Sequence, residues 1–142
     1  MAPDPTSRLA TLRDFAARYT AAWCSQSAAS VAAFFSPTGS LAINGAAPAI
    51  GRVAITASAQ DFMTAFPDLV VTMDDLIDAD ARIRYHWTLT GTNTGPGGTG
   101  HRVRISGVER WQIGTDGLVA ESAGSFDAAE YQRQTEHGVG AT

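Results

Sequence analysis

The first candidate for chemistry is a glutamate that lies among apolar residues in a predicted strand. His101–Ile113 alternates with a period of two, and Glu109 shares a face with Gly107 and Trp111. An unpaired buried carboxylate is costly, so such a Glu must find partners or take up a proton. The raised pKa that results suits general acid–base catalysis. The alternative is a purely structural Glu. Such a Glu is held by backbone, Tyr or Trp donors, or a bulge turns it outward.

The composition excludes most other chemistries. The 142 residues contain no Lys, which excludes Schiff-base catalysis, a pyridoxal-phosphate site and the Lys of a Walker phosphate loop. The single Cys24 excludes an internal disulfide and a multi-thiolate zinc site. His86, His101 and His137 lack the spacing of metal ligands on one face, so we expect no metal site. A formal charge of −4 argues against nucleic acid as a partner.

Glycines and aromatic residues predict an apolar cavity beside Glu109. Gly91, Gly107 and Gly124 leave side-chain-free positions on neighbouring strands, which indicates either a cavity or a strong bend. Asn93 is expected at the mouth of the cavity, and with Tyr19 and Tyr85 it would orient ligand oxygens. Trp23 and Trp111 would form walls. For most of the aromatic residues plain core packing is the alternative. The candidate ligand contacts share an expected position around this cavity: Tyr19, Trp23, Phe62, Tyr85, Asn93 and Trp111.

Hydrophobic periodicity gives the elements that must position these residues. The first predicted helix has apolar residues at spacings of three and four and runs from a cap at Thr6 or Ser7 to about Trp23. A short helix follows over Ala28–Phe35, another runs from after Gly51 to about Phe66, and a last one runs from a cap at Asp127 to about His137. The predicted strands are Ser40–Asn44, Leu69–Ala79, Arg82–Thr94, His101–Ile113 and Leu118–Phe126. This order predicts one α+β domain, with helices on one face of a curved antiparallel sheet. We expect residues 1–6 and 139–142 to be flexible tails.

Several stretches together resemble the SnoaL-like polyketide cyclases. Phe62–Leu69 is similar to their helix-to-strand passage, and Trp87–Gly95 resembles the end of one of their strands. Asp116–Val119 and Asp127–Gly138 are similar to their closing hairpin and helix. The resemblance covers roughly residues 8–138. It implies the nuclear-transport-factor-2-like fold, a cone-shaped barrel of a curved antiparallel sheet with helices packed on its concave side.

The resemblance also implies a chemistry. Such cyclases close a ring of an aromatic polyketide intermediate by aldol condensation, without a cofactor, in an apolar cone. This chain departs from their pattern in two places: Gly124 stands where the catalytic Asp is expected, and Asn93 stands where a strand-end His is expected. Glu109, on the adjacent strand, is our candidate to supply the carboxylate from another wall.

Two classes of function follow. The first is an enzyme that binds a small, apolar, oxygenated ring compound and catalyses proton transfer, with Glu109 as the acid or base. The second is a non-catalytic ligand-binding or assembly protein of the same fold. Among enzymes, the sequence does not distinguish ring closure from hydroxylation or epoxide opening, and it leaves the substrate unnamed.

A homodimer is the expected assembly. Alternate residues of two long strands form a broad outward face that could pair with its copy, although an ordinary solvated sheet face is the alternative. This face comprises Arg82, Arg84, Thr88, Thr90, Arg102, Arg104 and Val108. No targeting segment and no apolar run of about 18 residues are visible, so we expect a cytoplasmic protein without membrane contact.

Overall fold

Two strands carry the predicted cavity, and their alternation is confirmed. In the computed structural model, which describes residues 5–79 and 82–139, β4 is Arg82–Thr92 and β5 is Arg102–Ile113. Glu109 and Trp111 are buried on β5, whereas Arg110 between them is exposed. A strand with one solvated face shows this pattern.

The described residues form four helices and six strands. The remaining elements are α1 Pro5–Cys24, α2 Ala28–Ala32, β1 Phe35–Ile43, β2 Ala49–Ile50, α3 Arg52–Ala65, β3 Val70–Ala79, β6 Val119–Phe126 and α4 Ala128–His137. Of the predicted tails, residues 1–4 and 140–142 lie outside the described ranges, and residues 5 and 6 belong to α1. The α+β class is confirmed.

The strands form one sheet in the order β2-β1-β6-β5-β4-β3. The four strands from β3 to β6 pair antiparallel in chain order, as the predicted meander requires. The expectation of a wholly antiparallel sheet is wrong at one pairing, because β1 runs parallel to β6. β1 enters the sheet long before the meander, separated from it by α3, so no hairpin dictates its direction. The sheet is therefore mixed.

The inward face of the sheet is covered by α1. Leu12, Phe15, Tyr19 and Trp23 recur at three- and four-residue spacing along this helix, and all four are buried. Amphipathic helices acquire most of their stability by burying such a stripe. The stripe places Tyr19 over β4 and β5, where its ring contacts the rings of Tyr85 and Trp111 edge to face.

Strand β3 departs from strict alternation. Its pairing with β4 shifts register between Met73 and Asp75, which inserts one extra residue. The extra residue changes which strand positions face inward, so that the apolar Leu76 is buried while Asp75 before it is exposed. None of the helices in the described ranges has both the length and the apolar character needed to cross a bilayer.

Candidate active site

Glu109 lies at the centre of a buried hydrogen-bond cluster. Its Oε1 accepts from the Ser122 hydroxyl at 2.8 Å, from the Trp111 indole Nε1 at 3.1 Å and from the Tyr19 hydroxyl at 3.1 Å. Its Oε2 has a single contact among the described residues, the same Tyr19 hydroxyl at 3.1 Å. The two oxygens of one carboxyl group are thus unequally satisfied, and Oε2 keeps hydrogen-bonding capacity to spare.

Three elements converge to build this cluster. Glu109 and Trp111 are two residues apart on β5 and so share its inward face. Ser122 of β6 pairs directly with Trp111 across the strands, which brings its hydroxyl to the same point. Tyr19 reaches down from the buried stripe of α1. The cluster therefore depends on cross-strand register together with helix packing.

Burial dominates the titration of Glu109. Loss of hydration raises the pKa of this carboxyl above its ordinary value of 4.5, although the hydrogen bonds from Ser122, Trp111 and Tyr19 oppose the shift. Burial, followed by the charge on Glu109, also raises the pKa of Tyr19 well above its ordinary value. Tyr19 consequently stays protonated and acts as a donor to Glu109, which is the more acidic of the two groups.

The hydroxyl of Tyr85 is oriented by a short chain of donors. Thr20 donates its one hydroxyl proton to the carbonyl of Ala16 at 2.8 Å. The 2.5 Å contact between Thr20 Oγ1 and the Tyr85 hydroxyl is then donated by Tyr85. Burial raises the pKa of Tyr85, so it also remains protonated. Its oxygen is left to accept a hydrogen bond rather than to donate one.

An apolar cavity of about 60 Å³ opens beside Glu109. Its wall combines residues of α1, α3 and five strands, and it consists of Trp23, Leu41, Ile43, Phe62, Val71, Tyr85, Trp87, Leu89, Glu109, Gly124, Ser125 and Phe126. Among these described lining residues Glu109 is the only carboxyl group, and none is cationic. An engineered apolar cavity that holds benzene measures about 150 Å³, so a ring compound needs some wall side chains to move. Ile43, Phe62 and Phe126 are only half-buried and border this space.

Of the predicted ligand contacts, three line the cavity, two lie behind Glu109, and Asn93 lies elsewhere. Trp23, Phe62 and Tyr85 line the cavity, as expected. Tyr19 and Trp111 do not line it, because both are fully buried behind the carboxyl group of Glu109 and donate to it. They position Glu109 rather than form a wall.

Asn93 is placed outside the cavity, and its predicted role as a ligand contact requires correction. Its Oδ1 accepts from the backbone N–H of Thr99 at 2.8 Å, and its Nδ2 donates to the carbonyl of Ala65 at 3.4 Å. The side chain thus ties the loop after β4 to the end of α3. Its position in the strand alternation predicted its burial correctly, but its amide oxygen and nitrogen are hydrogen-bonded to backbone groups of the protein.

The three glycines thought to leave space do so unequally. At Gly91 the space is filled by Phe66, whose Cβ would lie 2.9 Å from an added Cβ. At Gly107 it is filled by the indole of Trp87. Only Gly124 borders the cavity, and an added Cβ there would lie 3.6 Å from Cγ of Glu109, an ordinary contact. Gly124 pairs with Glu109 across β5 and β6, so the two positions face the same space.

Sequence reasoning missed Ser122 as a partner of the carboxyl group. A small hydroxyl in a strand gives little periodic signal, but its position two residues before Gly124 placed it on the inward face of β6. Phe126 was also missed as a lining residue. No group of three or more His, Cys, Asp or Glu suited to a metal ion occurs in residues 5–79 and 82–139.

The comparisons with known proteins decide the family. The family model described as SnoaL-like polyketide cyclase matches residues 13–135. The chain belongs to the SnoaL-like polyketide cyclase family. A comparison with curated protein sequences gives no significant match.

Solved structures of this SnoaL-like protein's relatives agree in fold. A protein of Jannaschia sp. CCS1, assigned as a SnoaL-like polyketide cyclase, superposes with a TM-score of 0.76 at 18% identity, over 96% of this chain and 97% of its own. TsrD of Streptomyces laurentii gives 0.76 at 19% identity, over 95% and 98%. AclR of Streptomyces galilaeus, assigned as a hydroxylase, gives 0.71 at 21% identity, over 86% and 78%. At these identities the likeness shows the fold alone.

Proposed function

We propose that this SnoaL-like protein binds a small, uncharged, largely apolar ring compound and catalyses proton transfer, with Glu109 as the acid–base residue. The observation that carries the proposal is the position of Glu109. It is a buried carboxyl group with a raised pKa at the wall of an apolar cavity, where no other described lining residue carries a carboxyl group. A titratable group placed in this way in a cleft is typical of acid–base sites.

The reaction we propose begins at a carbon next to a ligand carbonyl. Glu109 removes a proton from this carbon, and the electron pair of the C–H bond forms the C=C bond of an enolate. In ring closure the enolate carbon then attacks a second carbonyl carbon of the same molecule. The proton on Glu109 passes to the alkoxide that forms there. Atoms and electrons balance without an oxidant, a reductant or a cofactor.

The hydrogen bonds of the cluster support Oε2 as the oxygen that exchanges the proton. Oε1 already accepts three hydrogen bonds, whereas Oε2 shares only the Tyr19 hydroxyl. Tyr19, Trp111 and Ser122 therefore act as positioning residues that fix the carboxyl group through Oε1. Burial of Glu109 raises its pKa above the ordinary value, which makes the carboxylate a stronger base than an exposed one.

The test is deuterium exchange at the carbon next to the carbonyl of 2-tetralone, followed by proton NMR in D₂O. We expect the protein to accelerate exchange and Glu109→Gln to lower the enzymatic rate at least about 100-fold. The matched control is Glu121→Gln, which removes an exposed carboxyl group paired with Arg82 on the other side of the sheet. An undiminished rate in Glu109→Gln would refute the role of Glu109.

A second candidate is a non-catalytic ligand-binding protein of the same fold. It is favoured by the three donors on Oε1, which are a sufficient structural reason for a buried Glu. Binding of 2-tetralone without any acceleration of exchange at any pH from 5 to 9 would support this candidate over the enzyme.

We also propose that two copies pair through the outer face of β4 and β5. Arg84, Arg102 and Arg104 are exposed on this face, and their direct neighbours are hydroxyl side chains as well as further arginines. In a two-fold symmetric dimer, both copies contribute the same surface patch to the interface, and this face is broad enough to serve as that patch. Gel filtration at micromolar concentration should give the mass of a dimer, and a monomer alone would refute the pairing.

A further inference from the structure

A buried donor in the cavity wall has no assigned use. The indole Nε1 of Trp87 is buried, and it has no hydrogen-bond acceptor among residues 5–79 and 82–139. Buried N–H groups are nearly always paired in proteins, because an unpaired one costs free energy. The side chain of Trp87 lines the same cavity as Glu109.

The indole is held in place by features of the sheet. Trp87 pairs with Gly107 across β4 and β5, and a side chain at Gly107 would collide with Cζ2 of the indole and approach its Cε2 to 2.9 Å. Cε2 is the ring carbon bonded to Nε1, so the absent Cβ admits the polar edge of the ring. Phe126 contacts the indole edge to face, with 5.9 Å between ring centroids.

The pairing of Trp87 with Gly107 places this donor and the carboxyl group of Glu109 on neighbouring inward positions of the sheet. Gly107 and Glu109 are two residues apart on the inward face of β5, and Trp87 lies directly beside Gly107. Two residues of a strand span roughly 7 Å. Trp87 and Glu109 also line the same cavity, so one ring compound within it would adjoin both side chains.

We propose that Trp87 Nε1 donates a hydrogen bond to the carbonyl oxygen of the ligand, and that it holds the enolate oxygen formed when Glu109 takes the proton. This inference rests on the proposed function and names the substrate class as uncharged carbonyl compounds. An anionic ligand is disfavoured, because Glu109 lines the cavity and none of the described lining residues is cationic. A donor placed where negative charge develops stabilises the transition state more than the ground state.

The test compares two probes that share a ring system, 2-tetralone with its carbonyl and tetralin without oxygen. We expect Trp87→Phe to raise the Kd of 2-tetralone about three- to tenfold, the value of one hydrogen bond, and the Kd of tetralin less than about twofold. In wild-type protein labelled with ¹⁵N, the indole N–H proton of Trp87, assigned from its own backbone, should move downfield with 2-tetralone but not with tetralin. This measurement needs no variant.

The other outcomes separate the two proposals. If Trp87→Phe weakened the binding of both probes equally, or if the indole signal responded identically to both, the proposed role of Trp87 would be overturned. Proton exchange that depends on Glu109 would be unaffected by that result. Binding of neither probe by the wild-type protein would overturn the substrate class together with the proposed function. The matched control variant is Trp23→Phe, a tryptophan of the same cavity with no orphaned buried nitrogen, which should weaken both probes equally.

Discussion

Glu109 and Asn93 are buried to the same extent, each with 8% of its surface exposed, but they differ in their hydrogen-bond partners and in their position relative to the cavity. Asn93 satisfies its amide with backbone groups of the adjoining loop and of α3. Glu109 is satisfied through one oxygen by three side chains, and it borders an apolar cavity. The lesson is that strand phase predicts burial, whereas the nature of the partners decides whether a buried polar group is structural or free to react.

The largest difference between Glu109 and Asn93 is expected in the exchange of 2-tetralone when each polar group is removed in turn. Glu109→Gln should lower the enzymatic rate at least about 100-fold, whereas Asn93→Ala should change it less than about threefold. The reason is that only Glu109 touches the cavity. A large loss in Asn93→Ala with an unchanged fold would show that the loop contributes to the site.

The variant Asn93→Ala, which should hardly affect the exchange rate, should instead lower the free energy of unfolding. Asn93→Ala leaves the N–H of Thr99 and the carbonyl of Ala65 without their side-chain partner, so we expect a loss of about 1–3 kcal/mol in the free energy of unfolding. Urea unfolding measures this loss, and hydrogen exchange should locate it in residues 94–100. Thr94→Ala is the control, since its exposed hydroxyl bonds only the carbonyl of Thr92 at the end of β4. Equal losses in the two variants would contradict the anchoring role.

Glu109 and Asn93 should also differ in how stability depends on pH, because Asn93 does not titrate. The pKa of Glu109 is raised in the folded state above the ordinary 4.5, so between these two values the folded protein binds more protons than the unfolded chain. The stabilisation is therefore complete below about pH 4.5 and is lost as the pH rises through the folded pKa. Glu109→Gln should remove this decline from urea unfolding measured at a series of pH values, and Asn93→Ala should retain it. An unchanged decline in Glu109→Gln would contradict the raised pKa.

The smallest effect is expected at Ser122. Its hydrogen bond lowers the pKa of Glu109, so Ser122→Ala should raise that pKa further and cost about 1 kcal/mol of stability. The pH midpoint of 2-tetralone exchange should move to higher pH. Ser106→Ala is the matched control, because Ser106 hydrogen-bonds Thr88 on the exposed face and should leave the midpoint in place. A shift to lower pH in Ser122→Ala would contradict the donor role.

Much of the fold could be predicted from the sequence, because its strongest signals are local. Period-two alternation along β4 and β5 predicted which side chains face inward, including Glu109, and a three- and four-residue stripe predicted the buried side of α1. These patterns depend on a residue and its near neighbours in the chain. The parallel pairing of β1 with β6 depends on partners about 80 residues apart, and no local pattern encodes it.

The site was only partly predictable for the same reason. The phase of Glu109 indicated a buried carboxyl group, but its three donors come from α1, β5 and β6 and meet through register and helix packing. Asn93 had an equally inward phase, and its contacts with Thr99 and Ala65 depend on how a glycine-rich loop folds back. Gly107 suggested empty space, whereas the indole of Trp87 from the neighbouring strand fills it.

The pH dependence of 2-tetralone exchange tests the central claim, proton transfer by Glu109, most directly. We expect a rate that rises with pH to a plateau, with a midpoint above 4.5, as the buried carboxyl group loses its proton and becomes the base. The rise should be absent in Glu109→Gln and present in Glu121→Gln. A wild-type profile without a midpoint, or an identical profile in Glu109→Gln, would contradict the account.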